Sequence, residues 1–252
     1  FKLHKLEEHH EHINSIQSIP WDDFKKEIFE LKRNNPNLIF RGQEDSKFKL
    51  ETTFHRQNRR DLIRFGLNDI TELRKHLTAS LNRTFNLSNT DDYNDLLYIA
   101  QHHGFPTPLL DWTDSPFVAS FFAFHQLSKN IDDGNVRIFI FDKDKWLEDM
   151  GTRIYTIDEP EPCLSPMTII SMNNSRALPQ QSLVTFSNIS NIESFIHHKE
   201  SKNKKSYLTV YDIPYSDRNK AMKDLAIMGI TAASLFTGLD GVCSALKEKL
   251  FK

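Results

Sequence analysis

The stretch QHHGFPTPLLDWTDSP (residues 101–116) gathers two histidines, an acid inside an apolar run, a tryptophan and a Ser-Pro pair. His102 and His103 are adjacent, so they do not share the i, i+4 face on which a helical pair holds a metal. A neutral imidazole still donates a hydrogen bond to a ligand. Asp111 follows Leu109 and Leu110; a carboxylate buried on such a strand must be paired, and Arg41 of a second short motif, FRGQ (40–43), is a candidate partner. Ser115 and Pro116 are N-cap and first-turn residue types, so a helix should begin there with free N–H groups able to hold a phosphate. Trp112, or Tyr98 upstream, could offer a ring face to a planar ligand, although a tryptophan here more often packs in a core. The run HRQNRRDLIR (55–64) sets Arg56, Arg59, Arg60 and Arg64 against Asp61 alone. Such runs are usually solvated helix faces, and this one is the strongest candidate footprint for nucleic acid.

Several elements must position these residues. SIPWDDFKKEIFELKRNN spaces Trp21, Phe24, Ile28, Phe29 and Leu31 helically behind Pro20, and NLIFRGQE holds a strand over 38–42. RDLIRFGLNDITELRKHLTASLNRTF and YNDLLYIAQHH are helical in period, TPLLDWT reads as a buried strand, and SPFVASFFAFHQL as a buried helix. VRIFIFD (136–142) alternates as a strand should, SLVTFSN and YLTVYDI are further strands, and the chain closes as two helices around GITAASLF. ESKNKK (200–205) reads as a solvated loop. Helices first, then strands with inserted helices, make the class α+β.

A chain of 252 residues suffices for one large domain or at most two small ones, and a formal net charge of −2 gives no global pull toward nucleic acid or membrane. Cys163 and Cys243 are far apart, without metal-ligand or disulfide-framework spacing. No apolar run approaches the ~20 residues of a membrane span. The opening FKLHKLEEHHEHINSIQ is charged and helical in pattern, with HHEH (9–12) on a solvated face, so no signal peptide is expected and the cytoplasm is the expected location.

FRGQ (40–43), AQHHGFPTPLLDWTDSPFVASFFAF (100–124), RALPQQSLVTF (176–186) and GITAASLFTGLDGV (229–242) together resemble the FRG domain family, named for its (Phe/Tyr)-Arg-Gly motif. The motifs keep the family's order, although the family tends to place Gly and an aromatic where Ser182 and Val184 stand. That pattern is in turn similar to ADP-ribosyltransferases of the Arg-Ser-Glu kind. Arg41-Gly42 suits their first strand and Asp111-Trp112-Thr113 their Ser-Thr-Ser strand end. Ala119, Phe122 and Ala123 suit the helix after it, and Gln180-Gln181 the Glu-x-Glu strand start.

The resemblance implies a mixed, mostly antiparallel sheet, with a helical segment over 1–34 and a single domain over 35–252. It implies a toxin that moves ADP-ribose from NAD to a macromolecule, RNA or DNA ahead of protein. The setting would be antiphage defence or a toxin–antitoxin pair with an antitoxin partner, without metal. Arg41 would bind pyrophosphate, Gly42 would admit close approach, and Asp111 and Thr113 would orient the nicotinamide ribose. His103, Ser115 and Tyr98 would line the cofactor pocket, and Gln180 would contact a ribose hydroxyl. Glutamine supplies no charge to an oxocarbenium ion, so Glu159, Glu161 and Asp111 are the candidate acids. The alternative is a non-catalytic nucleotide- or partner-sensing module. A metal nuclease is disfavoured because the acids do not cluster.

Overall fold

The computed structural model describes residues 16–127, 133–151, 161–167, 177–236 and 238–251. Its strands are β1 (Gln17–Ser18), β2 (Leu38–Gln43), β3 (Leu109–Thr113), β4 (Asn135–Asp142), β5 (Leu164–Met167), β6 (Ser182–Ser187) and β7 (Leu208–Pro214). The helices before the second sheet half are α1 (Trp21–Asn34), α2 (Thr53–Arg56), α3 (Leu62–Arg64), α4 (Ile70–Leu81) and α5 (Thr90–His102). They continue as α6 (Pro116–His125), α7 (Lys143–Met150), α8 (Ala177–Gln180) and α9 (Ile192–Asn203), then α10 (Arg218–Ile227), α11 (Ala232–Leu235) and α12 (Leu239–Phe251). The strands form one mixed sheet in the order β1-β7-β4-β2-β3-β6-β5, antiparallel except for the β1–β7 pair. The fold is α+β.

Alternation along β4 explains why the sheet is covered on both sides. Val136, Ile138 and Ile140 join the core formed with α1, α6 and α10, whereas Phe139 and Phe141 join the core formed with α7 and α9. α6, PFVASFFAFH, is apolar nearly all round and is the innermost helix, which is why most of it is buried. A third cluster seats α3, α4 and α5 against Leu109 of β3 and Phe186 of β6.

Several expected elements differ. ESKNKK is not a loop: α9 runs through Asn203, and Glu200 is 5% exposed, accepting from the backbone N–H groups of Tyr207 (2.7 Å) and Leu208 (2.9 Å). Ile192 and Ile196 supply the apolar face that carries the helix across the charged run. The long helical stretch from Asp61 breaks into α3, a π turn over Phe65–Asp69 and α4, and ends at Leu81 with Asn82 left-handed, so Arg83-Thr84-Phe85 leave the helix. GITAASLF itself contains α11, started by a Thr231–Ser234 capping box. Gln17 closes the opening segment in a strand rather than a helix, while HHEH lies outside the described residues. No helix among the described residues is long and apolar enough to cross a membrane.

Candidate functional site

β2 pairs with β4 over all six of its residues, but its ladder with β3 holds one register pair, Phe40↔Thr113. Past that pair the sheet forks, and a cleft of about 700 Å³ opens between Arg41 and Gly42 on one prong and Asp111 and Trp112 on the other. That volume is within the ~300–1,000 Å³ of small-molecule sites. Arg41 bridges the fork: its Nη1 donates to the backbone carbonyl of Asp111 at 2.7 Å. The bond is to main chain, so the alternative of an Arg41–Asp111 carboxylate pair is not realised.

Arg41 is the cation at the fork of the cleft. Burial lowers its pKa from 12.5 to about 10, Asp111 opposes that shift, and Arg56 adds to it. The half-buried guanidinium therefore stays cationic near neutrality. Its Nε is buried without a hydrogen-bond acceptor, and it has no carboxylate partner among the described residues. A half-buried cation with a spare, buried donor suits a phosphate or another anion.

Around it, Asp111 is exposed and held by Gln101, whose Nε2 donates to Oδ1 at 2.6 Å; Thr107 Oγ1 in turn donates to Gln101 Oε1. Thr113 Oγ1 donates to the Gln180 carbonyl at 2.7 Å, and Gln180 Nε2 donates to the Leu235 carbonyl at 3.1 Å. Arg41, Gly42, Asp111, Thr113, Gln180 and Arg56 thus share one cavity wall. The wall adds two acids that the motifs did not reveal, Glu44 and Glu51, and a Lys47-Phe48-Lys49 segment with Phe48 half exposed. Phe122 and Phe236 supply aromatic surface opposite. Glu44 and Glu51 lie in an unremarkable polar stretch after β2; only their placement beside FRGQ could have signalled them.

Other expected residues fall elsewhere. His103 is exposed at the C-cap of α5, outside the cleft; its neighbour His102 lines the wall instead, its ring edge-on to Tyr98 at 4.4 Å. One residue is about 100° of helix, enough to exchange the two. Tyr98 is 2% exposed and donates its hydroxyl to Ser182 Oγ at 2.8 Å, so its ring offers no ligand face. Trp112 belongs to the core, with Nε1 donating to Thr185 Oγ1 at 3.1 Å. Ser115 caps α6 as expected, accepting from Val118 N at 3.3 Å, yet it lies outside the cavity wall. The flank of α6, through Ala119 and Phe122, and its C-cap Gln126 face the cleft, rather than the helix N-terminus.

Gly42 has a different reason from ligand approach. A Cβ there would overlap the Ala119 carbonyl oxygen, so the glycine lets α6 press onto β2. The basic run is also not one helix face: α2 ends at Arg56, Asn58 turns the chain with φ 57°, and α3 begins at Leu62. Arg56 lines the cleft; Arg59 pairs with Asp69 at 2.6 Å and covers the Phe54 ring; Arg60 and Arg64 are exposed away from the wall. Glu161 is outside the cleft, its carbonyl accepting from Asn188 Nδ2, and Glu159 lies outside the described residues. Among the described residues no three His, Cys, Asp or Glu side chains converge as a metal site.

Residues 36–132, from just before β2 to past the end of α6, match the family model of the FRG domain. This chain carries an FRG domain. No curated protein and no solved structure matches it significantly. The FRG match contributes both prongs of the fork, including Arg41, Asp111 and Thr113, whereas Gln180 and Phe236 reach the cleft from beyond it.

Proposed function

We propose that the forked cleft binds NAD and that the protein transfers ADP-ribose to a macromolecular acceptor, acting as a toxin in a defence or toxin–antitoxin setting. The observation that carries this reading is Arg41: a half-buried guanidinium with a buried, unpartnered Nε, in a cavity of small-molecule size. In the proposed reaction Arg41 holds the pyrophosphate. The bond from ribose C1′ to the nicotinamide nitrogen breaks, and the electron pair leaves with nicotinamide. The Asp111 carboxylate, fixed by Gln101, stabilises the positive charge left on the ribose. A nucleophile of the acceptor then adds to C1′ and gives its proton to a carboxylate of the wall, Glu44 or Glu51. These acids supply the charge that Gln180 lacks. Arg56, Lys47 and Lys49, with Phe48 between them, favour nucleic acid as the acceptor, since cations interleaved with an aromatic suit phosphates and bases.

A binding-only reading has one specific support: the Gln180 amide is already engaged with the Leu235 carbonyl. Calorimetry with NAD, run beside a nicotinamide-release assay with and without RNA or DNA, separates the two. Arg41-dependent binding with release supports the transferase. Binding without release leaves a sensor, and no binding of NAD or ADP-ribose removes the nucleotide site altogether.

A further inference from the structure

α12 is held on one face only. Arg218 Nη2 donates to both Glu248 carboxylate oxygens at 2.8 Å, and the Arg218 side chain is 3% exposed. Gly241 abuts the Phe236 carbonyl with no room for a Cβ, Ser244 Oγ meets His125 Nε2 at 3.2 Å, and Ala245 packs on the core. At 3.6 residues per turn, these residues fix the inner side of the helix. Leu239, Val242, Cys243, Leu246 and Leu250 then share an arc of about 100° on the opposite side. The four aliphatic members are 80%, 49%, 49% and 65% exposed, a continuous apolar stripe of the sort that marks a protein contact.

We propose that the stripe is covered by a second copy of this chain, the two α12 helices packing antiparallel about a two-fold axis. The charges beside the stripe select this occupant. Asp240 and Lys247 lie on the same flank, about 80–100° from Leu239 on the helix circumference, and neither has an ion-pair partner among the described residues. A two-fold perpendicular to both helices returns each flank to itself with the direction reversed. Asp240 of one copy then stands beside Lys247 of the other, twice over, while the leucines interdigitate between them. A parallel pair would instead set the Asp240–Lys247 flank against the Lys249 flank and lose that reciprocity. Thirteen helical residues give a seam of only about 20 Å, so the contact falls at the small end of specific interfaces and the dimer is reversible and concentration-dependent.

The exposed Cys243 lies on the stripe and the other cysteine, Cys163, is buried, which provides a built-in probe. The test is light scattering across a micromolar concentration series, with bismaleimide cross-linking, on the wild type and on Leu246→Glu. The wild type is expected to shift from monomer to dimer and to cross-link through Cys243. Leu246→Glu is expected to lose both while keeping the wild-type melting temperature at concentrations too low for the dimer, since Leu246 is half exposed. Asp240→Lys should weaken the dimer several-fold, and adding Lys247→Asp should restore it. A wild type that stays monomeric throughout overturns the proposal, as does a dimer indifferent to Leu246→Glu. A monomer that binds vesicles of anionic phospholipid through Leu246 also overturns it, making the stripe a membrane surface.

Discussion

Arg41 combines two requirements that oppose each other in an unliganded protein. One Nη is anchored on the Asp111 carbonyl, while the buried Nε has nothing to donate to. Leaving a charged donor dehydrated costs stability; filling it with an anion recovers that cost as affinity. Arg41→Met, which keeps the stem and removes the charge, should leave the melting temperature unchanged or slightly raised. It should weaken NAD or ADP-ribose binding about 10- to 100-fold, the worth of one or two charge-assisted hydrogen bonds. Calorimetry and a thermal melt on the same samples check both halves; a variant that unfolds would make Arg41 a structural brace. Asp111→Asn retains an oxygen for Gln101 to hold but loses the charge. It should leave NAD affinity within a few-fold and lower nicotinamide release by about 10²–10³, as removal of a preorganised electrostatic group does. A turnover equal to wild type would assign the acid to Glu44 or Glu51.

At the scale of elements, the fork depends on how closely α6 can sit on β2. Because a Cβ at Gly42 would overlap the Ala119 carbonyl, Gly42→Ala must push the helix away and should cost at least about 1–3 kcal/mol in denaturant unfolding. An unchanged midpoint would show that the contact is slack. α2 carries a pH-sensitive joint: its N-cap Thr52 shares a 2.6 Å hydrogen bond with His55 Nδ1, and burial, aided by Arg60, lowers the His55 pKa from 6.5 to about 4. His55 is neutral in the fold. Its contribution is complete above pH 6.5 and is lost as pH falls toward 4, up to about 3 kcal/mol. His55→Asn should be measurably less acid-sensitive than wild type between those limits, read from unfolding midpoints at each pH. Parallel curves would show that other groups set the acid limit. Period-two and period-3.6 patterns made β2, β4, β7 and α6 legible in the sequence. The end of α9 was not, because Glu200 in a run of charges looks solvated. What buries it is a pair of backbone N–H groups on β7 and the Tyr207 before it, a tertiary partnership that no local pattern carries.

For the whole molecule, the sheet is two ladders joined through one residue pair: β1-β7-β4-β2 on one side and β3-β6-β5 on the other. FRG and DWT each named a prong in the sequence. The fork between them was not readable there, because it depends on where pairing stops rather than on which residues favour strands. Ladder amides that stop pairing next to a cleft should open at lower free energy than those within β4. A ligand that spans Arg41 on β2 and Thr113 on β3 joins the two ladders, and by mass action it stabilises the folded state by about 2.7 kcal/mol at one hundred times its dissociation constant. Saturating NAD should therefore raise the melting temperature. In hydrogen exchange it should slow the amides of Arg41–Gln43 and Asp111–Thr113 beyond the general slowing shared by β4 and β7, and at the same NAD concentration both effects should be much smaller in Arg41→Met. Uniform protection across the sheet would mean that NAD reports global stability and not closure of the fork. Protection confined to residues outside 36–132 would move the site off the FRG domain.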